Sequence, residues 1–145
     1  MEPVKSKCVC ATLRMATRAV SRLYDRALAP TGLRQTGYSI LSRLAEEGPL
    51  AISELATRLA MERTTCTREV APLVDVGLVE MTVGSDRRRR QLQLTDEGLR
   101  RRTAAYPHWQ RVQHLVAAEF GDEDLADLLA RVHQLRENTD QLLNP

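Results

Sequence analysis

Ile52–Gly98 reads ISELATRLAMERTTCTREVAPLVDVGLVEMTVGSDRRRRQLQLTDEG. Two helical patterns come first. From Ile52 to Leu59, the residues Ile52, Leu55, Ala56 and Leu59 return at helical spacing and make one apolar face. A break at Ala60 and Met61 leads into a second helix from Arg63 to Asp75, closed by Gly77. Leu78 to Val83 then has strand composition, Gly84-Ser85-Asp86 makes a turn, and Gln91 to Thr95 alternates polar and apolar. The hairpin carries Arg87, Arg88, Arg89 and Arg90 at its tip. A helix that can enter a groove, beside a basic hairpin that can reach the next one, is how small proteins read DNA. The expected fold is mainly α with a small β-wing: a winged helix-turn-helix over about residues 33–98, flanked by helices at about 8–30 and 99–143.

Outward from that centre the chain reads as helix. Leu13, Ala16, Val20, Leu23 and Ala27 recur at three and four within a helix from about Cys8 to Ala29, with Arg14, Arg18 and Arg22 on another face. Pro30, Thr31 and Gly32 stop it. A helix near Gln35 to Glu47 points Tyr38, Leu41, Leu44 and Ala45 inward and ends at Gly48-Pro49. Beyond the hairpin, Thr95-Asp96-Glu97 places a hydroxyl cap and two acids at a helix start. That helix runs to about Ala118, with Leu99, Tyr106, Trp109, Val112 and Val116 apolar and Pro107 expected to kink it. In the last helix Leu125, Leu128, Val132, Leu135 and Leu142 are spaced as a packing seam.

The composition bounds the function. At 145 residues with 43% hydrophobic content, the chain has the length of one domain, and no repeat or linker divides it. No apolar run reaches the ~20 residues of a membrane span, and MEPVKSKCVC lacks a signal-peptide core, so the expected location is the cytoplasm with no membrane role. Three cysteines make no disulfide framework. The net charge is only +2, yet it is unevenly spread. Arg87–Arg90 and Arg100–Arg102 make the centre basic, and Glu119, Asp122, Glu123, Asp124 and Asp127 make a later stretch acidic. That division presents one face to phosphate and keeps another away.

On the helix from Arg63, the residues Cys66, Val70 and Leu73 face the core, which turns Arg63, Thr64, Thr67 and Arg68 outward and leaves Thr65 at the boundary. Threonine can meet phosphates, base edges or a thymine methyl, and arginine can take guanine through two bonds. A solvated face is the ordinary meaning of such residues; the basic hairpin beside them turns the reading to DNA. Arginines at a hairpin tip suit the narrow, negative minor groove. Arg88 is the expected principal contact, Arg87 and Arg90 assist through phosphates, and Asp86 braces Arg88.

The patterns ERTTCTREVAPLVDVGLVE (Glu62–Glu80) and SDRRRRQLQLTDEG (Ser85–Gly98) closely resemble the MarR family of bacterial transcription regulators. The resemblance covers essentially the whole chain. It implies a homodimer, built by the N- and C-terminal helices, that occupies a pseudopalindrome in promoter DNA as a repressor. It also implies release by a small molecule or oxidant bound near the junction of the dimerisation and DNA-binding parts. The residues agree: one such unit makes few base contacts, and the apolar seams need a partner. A twofold dimer spaces two recognition helices by ~34 Å, one turn of DNA.

Cys8-Val9-Cys10 opens the first helix, and three readings of it stay open. Small thiols fill a helix start as plain packing. A thiolate at a helix N-terminus, near Lys5 and Lys7, is a redox sensor. Two thiols with ligands from elsewhere would bind metal. Cys10 through Tyr24 is similar to the opening of the organic-peroxide-sensing OhrR branch, in which a reactive cysteine meets tyrosines of the partner subunit. Cys10 matches that cysteine and Tyr24 one tyrosine; the second tyrosine's position holds Gln35. Along one helix Cys10 and Tyr24 are ~21 Å apart, so a meeting must cross the dimer. Cys66 takes a buried seat and reads as packing.

His108, His114 and His133 lack metal-ligand spacing, although His108 and Trp109 lie where a ligand cavity could form. No nucleophile–base pair, P-loop or dinucleotide fingerprint occurs, so neither an enzyme nor a cofactor is expected. The rival is a winged-helix protein-interaction module without a DNA role, which needs no basic wing. Salt separates the two, since log K for DNA falls by about 0.9 per phosphate neutralised. The Arg88→Ala variant is expected to bind DNA about tenfold more weakly or worse with unchanged thermal stability. Parental affinity in a fluorescence anisotropy titration would remove the wing tip from the mechanism.

Overall fold

The computed structural model describes residues 7–83 and 89–145. The element order is α1 (Val9–Leu28), a 3-10 turn (Ala29–Thr31), α2 (Gln35–Glu47), β1 (Leu50–Ala51), α3 (Ile52–Arg58), α4 (Arg63–Asp75), β2 (Val79–Val83), β3 (Arg90–Leu94), α5 (Asp96–Phe120) and α6 (Asp122–Leu143). The mainly α fold with a small antiparallel sheet is as expected. The chain divides into two compact units, one ending at Trp109 and the other spanning Gln110–Pro145.

The first unit holds the core. Leu28 from α1, Ile40, Leu41 and Leu44 from α2, Leu55 from α3, Cys66, Val70 and Leu73 from α4, and Leu78, Val79 and Leu92 from the sheet cluster together, all buried. The α1–α2 corner is made by Asp25. Its carboxylate accepts the Gln35 backbone N–H at 2.8 Å and the Arg34 guanidinium at 3.3 Å, which satisfies an open donor at the start of α2. Arg58 on α3 donates to Glu47 on α2 at 2.8 Å, and Ala51 N–H donates to Glu54 at the start of α3. The turn between α3 and α4 passes through Ala60 at φ 52°, a left-handed conformation that a Cβ makes costly.

Several details depart from the sequence reading. Ala45 is exposed rather than inward, and Ile40 takes the buried seat instead. The apolar stripe of α2 is narrower than a reading that admits every apolar residue. β1, only two residues long, was not expected. It lies against β3, pairing Leu50 with Leu92 and Ala51 with Gln91, so the sheet order is β1-β3-β2. α5 runs through Pro107 as one element, as expected, and ends at Phe120 rather than about Ala118. Leu99 and Tyr106 on α5 are exposed.

In the second unit, Gly121 at φ 95° separates α5 from α6, whose first turn holds Asp122, Glu123 and Asp124 where acids suit the helix dipole. Leu128, Val132, Leu135 and Leu142 of the expected seam are exposed. On α1, Val9, Leu13, Val20 and Leu23 are exposed as well. Among the described residues no helix is long and apolar enough to cross a membrane.

The tightest approach in the fold is at Gly98, in the first turn of α5. A Cβ there would stand 2.1 Å from the Leu78 carbonyl oxygen and 2.7 Å from a Leu94 methyl. The first of these is backbone and cannot swing away. Gly98→Ala is therefore expected to cost about 3 kcal/mol, the upper range for overpacking, measured by urea denaturation. A variant as stable as its parent would show that α5 can lift off Leu78 freely.

Candidate nucleic-acid interface

α4 presents two faces. Cys66, Val70 and Leu73 are buried, and burial is what fixes the helix's rotation. Arg63, Thr64, Thr67 and Arg68 consequently lie exposed, and Thr65 is half-buried at the boundary. The first turn of α4 holds no acid, and the side chain of its cap residue Glu62 makes no capping bond. The helix start thus keeps unsatisfied N–H donors and a partial positive charge, a suitable end to turn toward phosphate. Thr67 donates its hydroxyl proton to the Arg63 carbonyl at 3.0 Å, which leaves its methyl and lone pairs facing outward.

Arg89 and Arg90 stand exposed where the second wing strand begins, with Arg90 opposite Val83 in the β2–β3 register. The Arg90 guanidinium lies against the Met81 sulfur at 3.8 Å. A cavity of about 620 Å³ is lined by residues of α3, α4 and the sheet. Val70, Met81 and Leu92 line its floor, while Arg63, Thr67, Arg89 and Arg90 also face it. Recognition-helix and wing arginines therefore frame one groove. Arg89 was passed over in the sequence; the run that contains it was the signal, but its alternation could not say which arginines share a side. Asp86, Arg87 and Arg88 lie outside the described residues.

The cysteines separate clearly. Cys8 and Cys10 are exposed at the start of α1, and Cys66 is buried. Burial, and secondarily the negative charge of Glu69, pushes the Cys66 thiol up from its ordinary pKa, away from the reactive thiolate. Tyr24 is partly buried, and desolvation pushes its phenol up. Since α1 is one continuous helix, Cys10 and Tyr24 stay ~21 Å apart within a chain. Among the described residues, no group of three or more His, Cys, Asp or Glu side chains could hold a metal ion.

A second cavity, of about 440 Å³, lies between α2 and α5 and is lined by Gln35, Tyr38, Ser42, Arg102, Tyr106 and Trp109, among others. Trp109 stacks on Tyr38 and on Tyr106, each with centroids 5.8 Å apart and planes at 25°. The Arg102 guanidinium lies 5.9 Å from the Tyr38 ring and 5.8 Å from the Tyr106 ring, and donates to Ser42 at 3.2 Å. Gln35 donates to Ser39 at 3.1 Å, while its carbonyl oxygen is buried with no hydrogen-bond partner among the described residues. His108 is not among the residues that line this cavity, but Trp109 is. The Arg–aromatic cluster escaped the sequence reading because Tyr38 and Trp109 are far apart in the chain.

The sequence pattern of a helix-turn-helix domain matches residues 36–82. The transcriptional regulator MosR of M. tuberculosis is 35% identical, with 92% of this chain and 98% of that chain covered and a TM-score of 0.79. MosR in complex with DNA matches at 36% identity over the same shares, with a TM-score of 0.80. YwoH, a helix-turn-helix transcriptional regulator of Bacillus subtilis (strain 168), is 27% identical over 112 residues, 77% of this chain and 82% of that protein. The apo form of MarR from E. coli shares the fold at 18% identity, with 90% of this chain and 98% of that chain covered and a TM-score of 0.71. With its wing, its exposed recognition helix and a relative of this identity along nearly its whole length, the chain belongs to the MarR family of winged helix-turn-helix transcription regulators: it is a DNA-binding regulator, not an enzyme.

Proposed function

We propose that the chain is a homodimeric repressor that occupies a pseudopalindromic promoter site and is released by a small-molecule ligand or by cysteine oxidation. The observation that carries the DNA reading is the exposed row Arg63, Thr64, Thr67 and Arg68, set opposite buried Cys66, Val70 and Leu73. In this reading α4 enters the major groove with Arg63, Thr64, Thr65, Thr67 and Arg68 against bases and phosphates. The wing, through Asp86, Arg87, Arg88 and Arg90, reaches the adjacent minor groove. MosR, 36% identical and solved in complex with DNA, supports DNA as the partner here.

Exposed apolar side chains along α1 and α6 support the dimer, since rows of Leu and Val facing water are costly unless covered. A second copy supplies the cover, and twofold symmetry then makes the two recognition helices equivalent. Operator binding in the cytoplasm follows from that role.

Two release routes have support. The cavity beside Arg102, Tyr38 and Trp109 can take a ligand that prefers one placement of α5 over α2, and only such a preference can shift the equilibrium. The exposed Cys10 can be oxidised by an organic peroxide. Its thiolate attacks the O–O bond, giving a sulfenic acid and releasing the alcohol, and a thiol reductant restores it.

A gel shift on the upstream promoter DNA, with and without organic peroxide and then with thiol added back, tests the reading. Sequence-specific binding is expected, and its absence overturns the operator. Cys10→Ser is expected to bind DNA like the parent and to keep binding when peroxide is added. Peroxide release that persists in that variant would leave Cys10 a packing residue.

A further inference from the structure

We propose that Thr95 is a positioning residue for DNA binding, aiming the wing relative to the recognition helix; this rests on the reading that both elements contact DNA. Thr95 follows the last residue of β3 and precedes the first of α5. Its backbone N–H donates to the Leu78 carbonyl at 3.1 Å, adding a rung below the Val79–Leu94 pair at the base of the wing. Its hydroxyl proton is directed at the Gly77 carbonyl at 2.7 Å, with the Leu78 carbonyl second at 3.1 Å. The same hydroxyl oxygen accepts the Gly98 N–H at 3.0 Å, capping α5.

Gly77 and Leu78 are the residues that end the recognition helix. Gly77 at φ 77° donates to Val74 at 3.0 Å, and Leu78 donates to Leu73 at 2.9 Å. One side chain therefore joins the end of α4, both legs of the wing and the start of α5. A helix cap alone would need only the bond from Gly98. The bond to Gly77 ties the wing to the helix that reads DNA.

The wing is a lever on that joint. Five strand residues beyond Leu78 carry the chain about 16 Å outward, so a tilt of about 5° at the base moves the arginine-bearing end by about 1.4 Å. A displacement of that size is enough to spoil charge-assisted bonds that act at about 2.8 Å. β1 pairs with β3 at Gln91 and Leu92, so the Leu94 end of β3 is paired on the β2 side alone, next to Thr95.

The test is a double-mutant cycle on DNA affinity, measured by fluorescence anisotropy at a temperature where circular dichroism shows every variant folded. Thr95→Val is expected to weaken binding about tenfold, and Thr95→Ser, which keeps the hydroxyl, by less than about twofold. With Arg87, Arg88, Arg89 and Arg90 all replaced by alanine, Thr95→Val is expected to cost less than about twofold more, because the misaimed wing has no arginine left to place. With Arg68→Ala present, the full factor of about ten is expected to remain. Should Thr95→Val fail to fold, Thr95→Asp carries the same cycle, since it accepts the Gly98 N–H as a cap but has no proton for Gly77.

Parental affinity in folded Thr95→Val, or in Thr95→Asp, would overturn the inference and leave Thr95 a helix cap. So would an undiminished cost of Thr95→Val in the variant that lacks all four wing arginines. A variant lacking all four wing arginines that binds like the parent would instead fail the wing reading itself, and that variant alone identifies the failure.

Discussion

The Leu78 carbonyl is where the recognition helix, the wing and α5 come together, and it is packed so closely that only a glycine at position 98 can face it. A Cβ there would reach 2.1 Å from that oxygen. The approach is worth its tightness because the carbonyl lies one residue past the turn that closes α4 and one residue before β2. Any looseness at that point would be multiplied along the wing. The close fit thus sits at the joint and the polar variety sits at the exposed ends.

The second constraint is burial on one side of α4. Cys66, Val70 and Leu73 are spaced so that their burial leaves Arg63, Thr64, Thr67 and Arg68 no inward option. Replacing Cys66 with something larger would disturb the helix from beneath, and its raised thiol pKa keeps it in the apolar role. Cys8 and Cys10 have the opposite surroundings, exposed at a helix start. The chain therefore separates a cysteine packed beneath α4 from two that face solvent.

Legibility in the sequence followed the range over which each element is determined. α4 was read with its boundaries intact, because a period of three and four, a break before it and Gly77 after it are all local. The Thr95 cap was equally local. β1 was missed because two residues carry no period, and only pairing with β3 makes Leu50 and Ala51 a strand. Ala45 was placed inward because alanine fits either side of a helix; burial of Ile40 is decided by the elements packed on α2. At the interface, the outward face of α4 was readable, while the partition of the arginine run depends on strand register, which puts Arg90 opposite Val83. The aromatic cavity depends on Tyr38, Arg102 and Trp109 meeting across the core, a pairing no window of sequence contains.

Those long-range contacts also connect the cavity to the joint. Arg102 lies seven residues into the chain from Thr95, about 10 Å along the same helix. Its guanidinium is held between Tyr38 and Tyr106 and bonded to Ser42, and its neighbour Arg101 donates to the Thr31 carbonyl at 3.0 Å. α5 is thereby fixed to α2 at one place and to the base of the wing at another. Between them runs a continuous stretch of helix, which transmits a shift rather than absorbing it. In the proposed release, a ligand in the cavity would act on DNA only so far as it binds one placement of Arg102 more tightly than another. The shift in DNA affinity is then bounded by that difference, and by reciprocity bound DNA weakens the ligand by the same factor. Where the effector's affinity is unchanged by saturating operator DNA, the helix between Arg102 and Thr95 carries no coupling.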